Sequence, residues 1–410
     1  MRRHPVRWMA AIAAVAGCGV CAVWSVRAGL ADYWARQETG AAAERAIALE
    51  PEQALYHYRL ALLLADQDPR RSDEFLRRAV ALQPADADFR IELGLRSEAE
   101  GDYPTAERSL LRAATENKLF LPRWTLANYY FRRNDTARFW YWAKSSAAMV
   151  YGDPAPLFAL CERVAEGGNL MELLELRSAD SQAGYLSYLL DRSETVRVAP
   201  VALSVLAADR TSDTPLLLAA CDLLLDGKRV EEALLLWNKL VASHRLPFRA
   251  PAREGGPVLT NGAFAASPTS RGFDWRLPAI EGVTAAREQA PAGLRLTFSG
   301  GQPESCEPLT QFVPVEQNAV YELKFAYGTS GIAAGAGPRW RVADAFAGRT
   351  IAESEPLSSQ DLAQGRLGFV SPAGCRLLRL ALAYQRAPGT TRIEGDVVLG
   401  DVRLDRLAKP

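Results

Sequence analysis

Histidine is scarce in this chain of 410 residues, which has only His4, His57 and His244. Because no histidine follows residue 244, no Ser-His-Asp or Cys-His set can be assembled in the C-terminal region. The sequence also lacks a phosphate-binding loop and a dinucleotide-binding glycine motif. These absences predict a protein that is not an enzyme and that holds no metal and no cofactor. Paired carboxylates for glycoside cleavage stay open, since Asp and Glu are numerous and a sequence does not show their separation.

An excess of charge of either sign is also missing. Lys and Arg together number 48, and Asp and Glu together number 48. A chain without net charge has no general field to attract a phosphate backbone, so the composition argues against a nucleic-acid partner.

Cysteine is sparse, with six residues in the whole chain. Cys18 and Cys21 have a C-x-x-C spacing, but they lie in an apolar run without a nearby His or acid, which predicts packing residues and no metal or redox site. Cys306 and Cys375 both lie in a strand-rich region on the far side of a predicted membrane helix. Disulfides form readily in such a compartment. The pair is therefore a candidate disulfide.

A single long hydrophobic run stands at the N-terminus. Trp8–Val26 has no charged residue over about 19 positions, which approaches the length that spans a bilayer as a helix. Arg2, Arg3 and Arg7 precede it and would hold the start of the chain in the cytoplasm. Residues 1–28 are therefore predicted to be a cytoplasmic tail and membrane anchor. The bulk of the chain would lie in the periplasm of a bacterium, beyond its inner membrane.

Two other interpretations of the same run stay open. The run can be a signal peptide that is cleaved after Ala28, which would release the protein. It can also carry a lipid, because Val15-Ala16-Gly17-Cys18 resembles the lipobox of bacterial lipoproteins, in which the cysteine is lipidated.

Residues 29–246 carry a helical repeat. The segments AERAIALEP and LRRAVALQP are near-copies that lie about 33 residues apart. The next unit has Leu93-Gly94 followed by Gly101-Asp102-Tyr103, at offsets that resemble the tetratricopeptide repeat (TPR). In that arrangement Gly94 is small where two antiparallel helices touch, and Gly101-Asp102 turns the chain between them. The resemblance implies an α-solenoid of five to six helix pairs that binds other proteins.

Aromatic and basic residues concentrate in one of these repeats. Trp124 and Tyr129 stand close to Arg132 and Arg133, a mixture that can grip a partner protein or a glycan. The alternative is that most of these rings fill the space between helices.

Residues 247–257 are rich in Pro and Gly and form a predicted linker. From 258 to 410 short alternating apolar runs replace the helical period, and about eight strands predict an antiparallel β-sandwich. Asn261-Gly262-Ala263-Phe264, a following tryptophan and the strand order resemble the galactose-binding-like jelly roll of many carbohydrate-binding modules.

That resemblance implies a sugar site, which needs an aromatic ring flanked by hydrogen-bonding side chains. Trp275 with Asp274 and Arg276, and Trp340 with Arg339, have the required types. In a strand, Phe273 and Trp275 would share one side, opposite to Asp274 and Arg276. The alternative is that the rings face the inner layer and belong to the core.

The predicted architecture is a multidomain α-then-β protein: a transmembrane helix, a TPR-like solenoid and a jelly roll. Its organisation is similar to TPR proteins that accompany exopolysaccharide or O-antigen assembly. This predicts an envelope scaffold whose repeats dock proteins and whose sandwich contacts a polysaccharide or an assembly subunit. The alternatives are a lectin-like glycan-binding protein with the repeats as a spacer and, from a third class, a glycan-modifying enzyme.

Overall fold

The computed structural model describes residues 4–149, 152–251, 258–289 and 292–407. Part of the predicted linker (252–257) and Arg2 and Arg3 lie outside the described residues, as does the side chain of Arg7. Among the described residues, the first part of the chain is helical. The helices are α1 (His4–Ala35), α2 (Gly40–Leu49), α3 (Ala54–Leu64), α4 (Pro69–Leu82), α5 (Ala87–Ala99), α6 (Tyr103–Glu116), α7 (Phe120–Arg132), α8 (Thr136–Ala147), α9 (Ala155–Ala165), α10 (Leu170–Leu173), α11 (Ala179–Asp191), α12 (Val198–Ala207), α13 (Thr214–Asp226) and α14 (Val230–Ala242).

The second helices of successive hairpins begin in the same way. Asp68, Asp102 and Asp135 are the N-caps of α4, α6 and α8, and each side chain accepts a hydrogen bond from the backbone N–H three residues later. An Asp at the N-cap satisfies a donor that the first helical turn leaves free. The recurrence of this cap every 33 or 34 residues shows the repeat in the backbone itself.

Small residues recur where the helices touch. Ala46, Ala79, Ala113 and Ala147 follow the same period, and all four are buried. Gly94 packs on Leu110 so closely that an added Cβ would lie 2.7 Å from its side chain. The hairpins pair consecutively from α1–α2 to α13–α14, one pair more than expected, because the end of α1 serves as the first helix of the array.

Contacts divide the chain into two units, Met1–Arg177 and Ser178–Pro410. The second unit therefore contains helices α11 to α14 as well as the strands. The predicted boundary at 247–257 separates helix from strand, whereas packing places the division near residue 177.

The strands form two antiparallel sheets. They are β1 (Val283–Gln289), β2 (Ala292–Ser299), β3 (Ser305–Pro314), β4 (Val320–Ser330), β5 (Arg339–Asp344), β6 (Thr350–Glu353), β7 (Ala363–Val370), β8 (Leu377–Gln385) and β9 (Glu394–Arg406). One sheet has the order β1-β2-β9-β4-β7 and the other β3-β8-β5-β6. The strand β9 is long enough to contain two apolar pairs, Val397 with Leu399 and Val402 with Leu404.

The inner faces of the two sheets build one core. Alternate residues of β2, β4, β8 and β9 point into it, as period-2 alternation requires. Its fully buried members include Leu296, Leu323, Leu382, Val397 and Leu399. The structure therefore has the predicted α-then-β architecture, with a sandwich at its C-terminal end.

Helix α1 contains one stretch, Ile12–Ala35, that is long and apolar enough to cross a membrane. A signal sequence near an N-terminus meets the same criteria. The last turn of α1 also belongs to the array, because Ala31 and Ala35 are buried in a cluster with Ala46 and Tyr56. The apolar helix and the first hairpin are thus one continuous element.

Candidate binding surfaces

The segment Gly272–Arg276 is not a strand, contrary to expectation. It follows a series of turns and joins the sheet only through an isolated bridge between Arg276 and Thr310 of β3. Phe273 faces the ring of Trp237 on α14, with the ring centroids 5.9 Å apart, whereas Trp275 enters the sandwich core. The prediction that Phe273 and Trp275 share one side of a strand is therefore wrong.

Trp275 and Trp340 form the centre of the sandwich. Neither has any exposed surface, and their ring centroids lie 5.9 Å apart. Phe264 stacks on Trp275, and the Nε1–H of Trp275 donates a hydrogen bond of 3.0 Å to the carbonyl of Asn261. Two indoles with no exposed surface cannot stack on a sugar. The predicted aromatic platforms are wrong, and the competing core interpretation is the correct one.

Asp274 is also fully buried. Its Oδ2 accepts a 2.6 Å hydrogen bond from the backbone N–H of Thr269, and its Oδ1 lies 3.4 Å from Nδ2 of Asn261. Burial raises the pKa of this carboxyl group, and the hydrogen bonds it accepts oppose part of that rise. Asp274 therefore fixes the turn from 261 to 274 and does not face a ligand.

Arg276 joins the sandwich to helix α13. Its Nη2 lies 2.7 Å from Oδ1 of Asp222, a residue 54 positions earlier in the chain, and its guanidinium lies over the ring of Phe312 at 4.6 Å. Burial lowers the pKa of Arg276, and the Asp222 carboxylate opposes that shift. The predicted ligand-binding role of Arg276 is thus replaced by an internal ion pair.

Asp222 holds three groups of this segment at once. Besides Arg276 it accepts hydrogen bonds from the backbone N–H of Gly272 at 2.7 Å and from Nη1 of Arg271 at 2.9 Å. We call this set of contacts the Asp222 clasp. The sequence analysis missed it, although a lone carboxylate within the apolar stretch AACDLLL is a signal that such a group has a partner.

Gly272 is required at this contact. It has a positive φ of 54°, and an added Cβ would lie 2.4 Å from the ring of Trp237. Glycine adopts this backbone conformation without strain, and any other residue would place its Cβ in the space of the indole. The clasp and the ring of Trp237 together seat the α13–α14 hairpin against the segment.

The outer face of the four-stranded sheet carries a network of ion pairs. Nε of Arg341 lies 2.6 Å from Oε1 of Glu353, and its Nη1 lies 3.5 Å from Glu307. Arg339, a predicted sugar ligand, is half-buried, and its guanidinium lies 3.6 Å from Glu353. Arg379 pairs with Glu307 in the same network. Arg339 therefore lies at the surface, but it has a carboxylate partner and no aromatic platform beside it.

The outer face of the five-stranded sheet is similar. Arg295 pairs with Glu288 and with Asp396, and Lys324 lies 2.9 Å from Oδ2 of Asp405. The large rings of these strands point the other way, into the core. Alternation thus places these charges outside and most aromatic side chains of the strands inside, with Phe312 of β3, which contacts Arg276, as an exception.

The predicted partner patch on α7 separates into buried and exposed members. Tyr129 is only 2% exposed and donates a hydrogen bond to the carbonyl of Tyr103, so its predicted contact with a partner is wrong. Trp124 is half-buried. Arg132 is exposed and forms a two-pronged pair with Glu98, and Arg133 lies over the ring of Tyr103 at 3.7 Å. The patch therefore retains two exposed cations, both engaged within the array.

Exposed leucines on the first helices of the hairpins were not foreseen. Leu55 and Leu62 lie on α3, and Leu95 lies on α5 one repeat after Leu62; their exposed fractions are 40%, 44% and 38%. Leu55 and Leu62 are seven residues apart and thus share a helix face. These three residues, of which Leu62 and Leu95 are related by the repeat, form the leucine row. It is a stronger candidate for a docking surface than the predicted patch.

Cys306 and Cys375 are both free thiols, so the structure corrects the candidate disulfide. Cys306 pairs with Tyr384 at one end of the β3–β8 ladder, whereas Cys375 directly precedes the other end, where Leu377 pairs with Pro314. The seven steps of β8 from Leu377 to Tyr384, which separate the two ends of the ladder, span about 23 Å. A disulfide requires Cα atoms within about 7 Å. Burial raises the pKa of the Cys375 thiol to about 12, with a further contribution from the Asp344 carboxylate.

Within the part of the chain that the structure describes, no group of three or more His, Cys, Asp or Glu side chains is arranged to hold a metal ion.

Comparison with known proteins shows no family. Neither a protein-family model nor a curated protein matches this sequence. Among solved structures, the carbohydrate-binding module TmCBM61 in complex with β-1,4-galactotriose is 16% identical over 37% of this chain and 100% of that chain, with a TM-score of 0.28.

The helical region is similar to YrrB, described as a TPR protein with an unusual peptide-binding site, with 14% identity over 50% of this chain and 93% of that chain and a TM-score of 0.23. Yeast Tom70 is 13% identical over 54% of this chain and 52% of that chain, with a TM-score of 0.32. With TM-scores below 0.5, these similarities show nothing about a ligand or partner of this chain.

Proposed function

We propose that this protein is a membrane-anchored, non-enzymatic scaffold of the bacterial envelope whose helical array docks other proteins. The row of exposed leucines at repeat-related positions carries this proposal. Apolar side chains that recur on stacked helices offer a partner segment a continuous surface, and nothing in that surface supplies chemistry.

The packing of the end of α1 against the array supports the proposal that α1 stays in the mature protein and is not cleaved. Nε of Arg27 donates to the carbonyl of Leu49 and lies 3.4 Å from Glu50, while Ala31 is fully buried. Cleavage after Ala28 would remove Arg27 and cut a helix one turn before its docked face. The measurement is the intact mass of the membrane-extracted protein. A mass that begins at residue 29 contradicts retention, and a lipid adduct lost in Cys18→Ser supports the lipoprotein alternative.

Docking is tested by photo-crosslinking in cells. A photoreactive amino acid in place of Leu62 or Leu95 is expected to crosslink a protein partner, because both side chains are exposed on successive first helices. The matched position is Leu235 on α14, which is 47% exposed and outside the row. Equal crosslinking at all three positions, or none, contradicts the docking surface.

For the sandwich, the geometry favours contact with a protein subunit over the lectin-like alternative. Both predicted tryptophans are internal, and Arg295, Lys324, Arg339 and Arg341 on the outer faces each have a partner of opposite sign. Binding of the full chain to a glycan array tests this assignment. Saturable binding that is lost in Arg339→Ala, with the fold intact, would support the glycan-binding alternative instead.

The process that we propose, assembly of an exopolysaccharide or O-antigen, rests on the resemblance in organisation. Deletion of the gene is expected to reduce polymer at the cell surface, and expression of the Leu62→Glu and Leu95→Glu double variant is expected not to restore it. Normal polymer in the deletion strain contradicts the process and leaves the docking proposal standing. Purified protein that cleaves polysaccharide would support the enzyme alternative.

A further inference from the structure

The point at which the apolar segment of α1 ends identifies the edge of the helical array that lies nearest to that segment. Val26 ends the uncharged run, and the next residue, Arg27, contacts Leu49 and Glu50 at the C-terminal end of α2. About 19 helical residues span roughly 28 Å, close to the thickness of a bilayer core. The connection between α2 and α3 is therefore level with the point at which α1 would emerge from lipid.

The connections that follow lie on the same edge. Arg78 near the end of α4 lies 3.3 Å from Glu52 in the α2–α3 connection. Ala54 at the start of α3, Ala79 in α4 and Phe89 at the start of α5 share one buried cluster. Because each hairpin is antiparallel, the ends of second helices and the starts of first helices alternate along this edge.

The α6–α7 connection and the first turn of α7 continue the edge and expose two leucines. Leu119 is 62% exposed and Leu121 is 52% exposed, and Lys118 precedes them. The end of α8 lies beside this connection, because Nη1 of Arg123 donates to the carbonyl of Ser145, and Met149 after α8 is 42% exposed. In the described part of Met1–Arg177, no other connection between helices, taken together with the first turn of the helix after it, exposes two such leucines.

We propose that this apolar edge, formed by Leu119, Leu121 and Met149, inserts into the lipid headgroup region of the membrane that α1 crosses. The inference rests on the proposed anchor. Continuity with α1 identifies the occupant as lipid, since the edge begins where the membrane helix ends. Leucine and methionine side chains gain free energy on leaving water, and Lys118 suits an anionic headgroup. The array then stands on the membrane at two points, α1 and the α6–α7 connection.

The experiment uses the full chain in nanodiscs of phosphatidylethanolamine and phosphatidylglycerol that carry a photoactivatable phospholipid. Labelled peptides are identified by mass spectrometry. We expect labelling of α1 and also of residues 117–124. The double variant Leu119→Glu and Leu121→Glu should reduce labelling of the connection about tenfold while α1 is labelled as before, because each leucine loses its transfer free energy.

The matched control is Tyr141→Glu, which replaces a residue that is 65% exposed in the middle of α8 and away from the edge. It should leave labelling of 117–124 unchanged. Labelling of α1 without labelling of residues 117–124 would contradict insertion of the apolar edge and leave the proposed anchor standing. Absence of label from α1 would contradict both proposals. Circular dichroism of each variant establishes that the helices are intact.

Discussion

The α7–α8 hairpin and the β-sandwich are both rich in aromatic residues, and they place them differently. In the sandwich, Trp275 and Trp340 have no exposed surface, whereas Tyr141 on α8 is 65% exposed and Trp124 on α7 is half-buried. A helix in a stacked array buries one stripe and leaves the rest to solvent. A sandwich closes two sheets over a common core. An aromatic cluster in a sequence is therefore no guide to a binding surface until the layer that contains it is known.

Removal of a sandwich tryptophan should give the largest effect. Trp275→Ala or Trp340→Ala is expected to lower the free energy of unfolding by about 3–5 kcal/mol, because each leaves a large cavity in the core. Tyr141→Ala should change it by no more than about 0.5 kcal/mol. Denaturant unfolding followed by hydrogen exchange in β4 and β8 measures both. Equal effects of the sandwich and hairpin substitutions would remove the distinction between the two regions.

The Asp222 clasp predicts the next effect in size. Asp222→Ala leaves the partly buried Arg276 without its carboxylate, and we expect a loss of about 1–3 kcal/mol. Hydrogen exchange should accelerate in α13 and in residues 271–276. Asp226→Ala, one turn further at the exposed C-terminal end of α13, is the control. Its carboxylate acts on Arg276 only through the electric field and not through a hydrogen bond, so we expect a much smaller effect. Unchanged protection in both variants would show that the clasp does not hold the helix and the segment together.

The close contact between α5 and α6 at Gly94 predicts a smaller change in stability. Gly94→Ala places a Cβ 2.7 Å from Leu110, which costs about 1–3 kcal/mol, and the better helix propensity of alanine offsets about 1 kcal/mol of that. The net expectation is a loss of about 1 kcal/mol in thermal unfolding. Gly40→Ala has open space around it and should be neutral or slightly stabilising. A stabilising Gly94→Ala would contradict close packing of α5 on α6.

The smallest effect concerns the thiols. A raised pKa favours the neutral thiol, so Cys375 becomes a reactive thiolate only as the pH approaches about 12. We expect iodoacetamide at about pH 8 to spare Cys375 in the folded protein and to modify it after unfolding. Non-reducing mass spectrometry should find Cys306 and Cys375 unlinked. A mass deficit of two hydrogens that maps to these residues would restore the disulfide.

Local patterns predicted a large part of this protein. The period of about 33 residues predicted the hairpins, and period-2 alternation predicted β2, β4 and β8, because side chains one turn or two strand residues apart share a face whatever the rest of the chain does. The same alternation failed at Phe273 and Trp275. That segment is a turn, and no local signal in FDWR distinguishes a turn from a strand.

The candidate sites depended on contacts that no local pattern contains. Asp222 and Arg276 are 54 residues apart in sequence, and Tyr129 differs from its exposed neighbours only because of what α7 packs against. Prediction from residue types found the right tryptophans and assigned them the wrong role, since a ring suited to a sugar is equally suited to a core.

The sequence by itself determined the order of the elements, the repeat and the apolar N-terminal helix, because short-range periodicity is fixed by neighbours along the chain. Tertiary structure alone decided that Trp275 and Trp340 are internal, that Cys306 and Cys375 are far apart, that the helices α13 and α14 belong with the sandwich, and that leucines remain exposed on the array. Each of these outcomes depends on contacts between residues that are distant in sequence, because burial is decided only when the elements pack together.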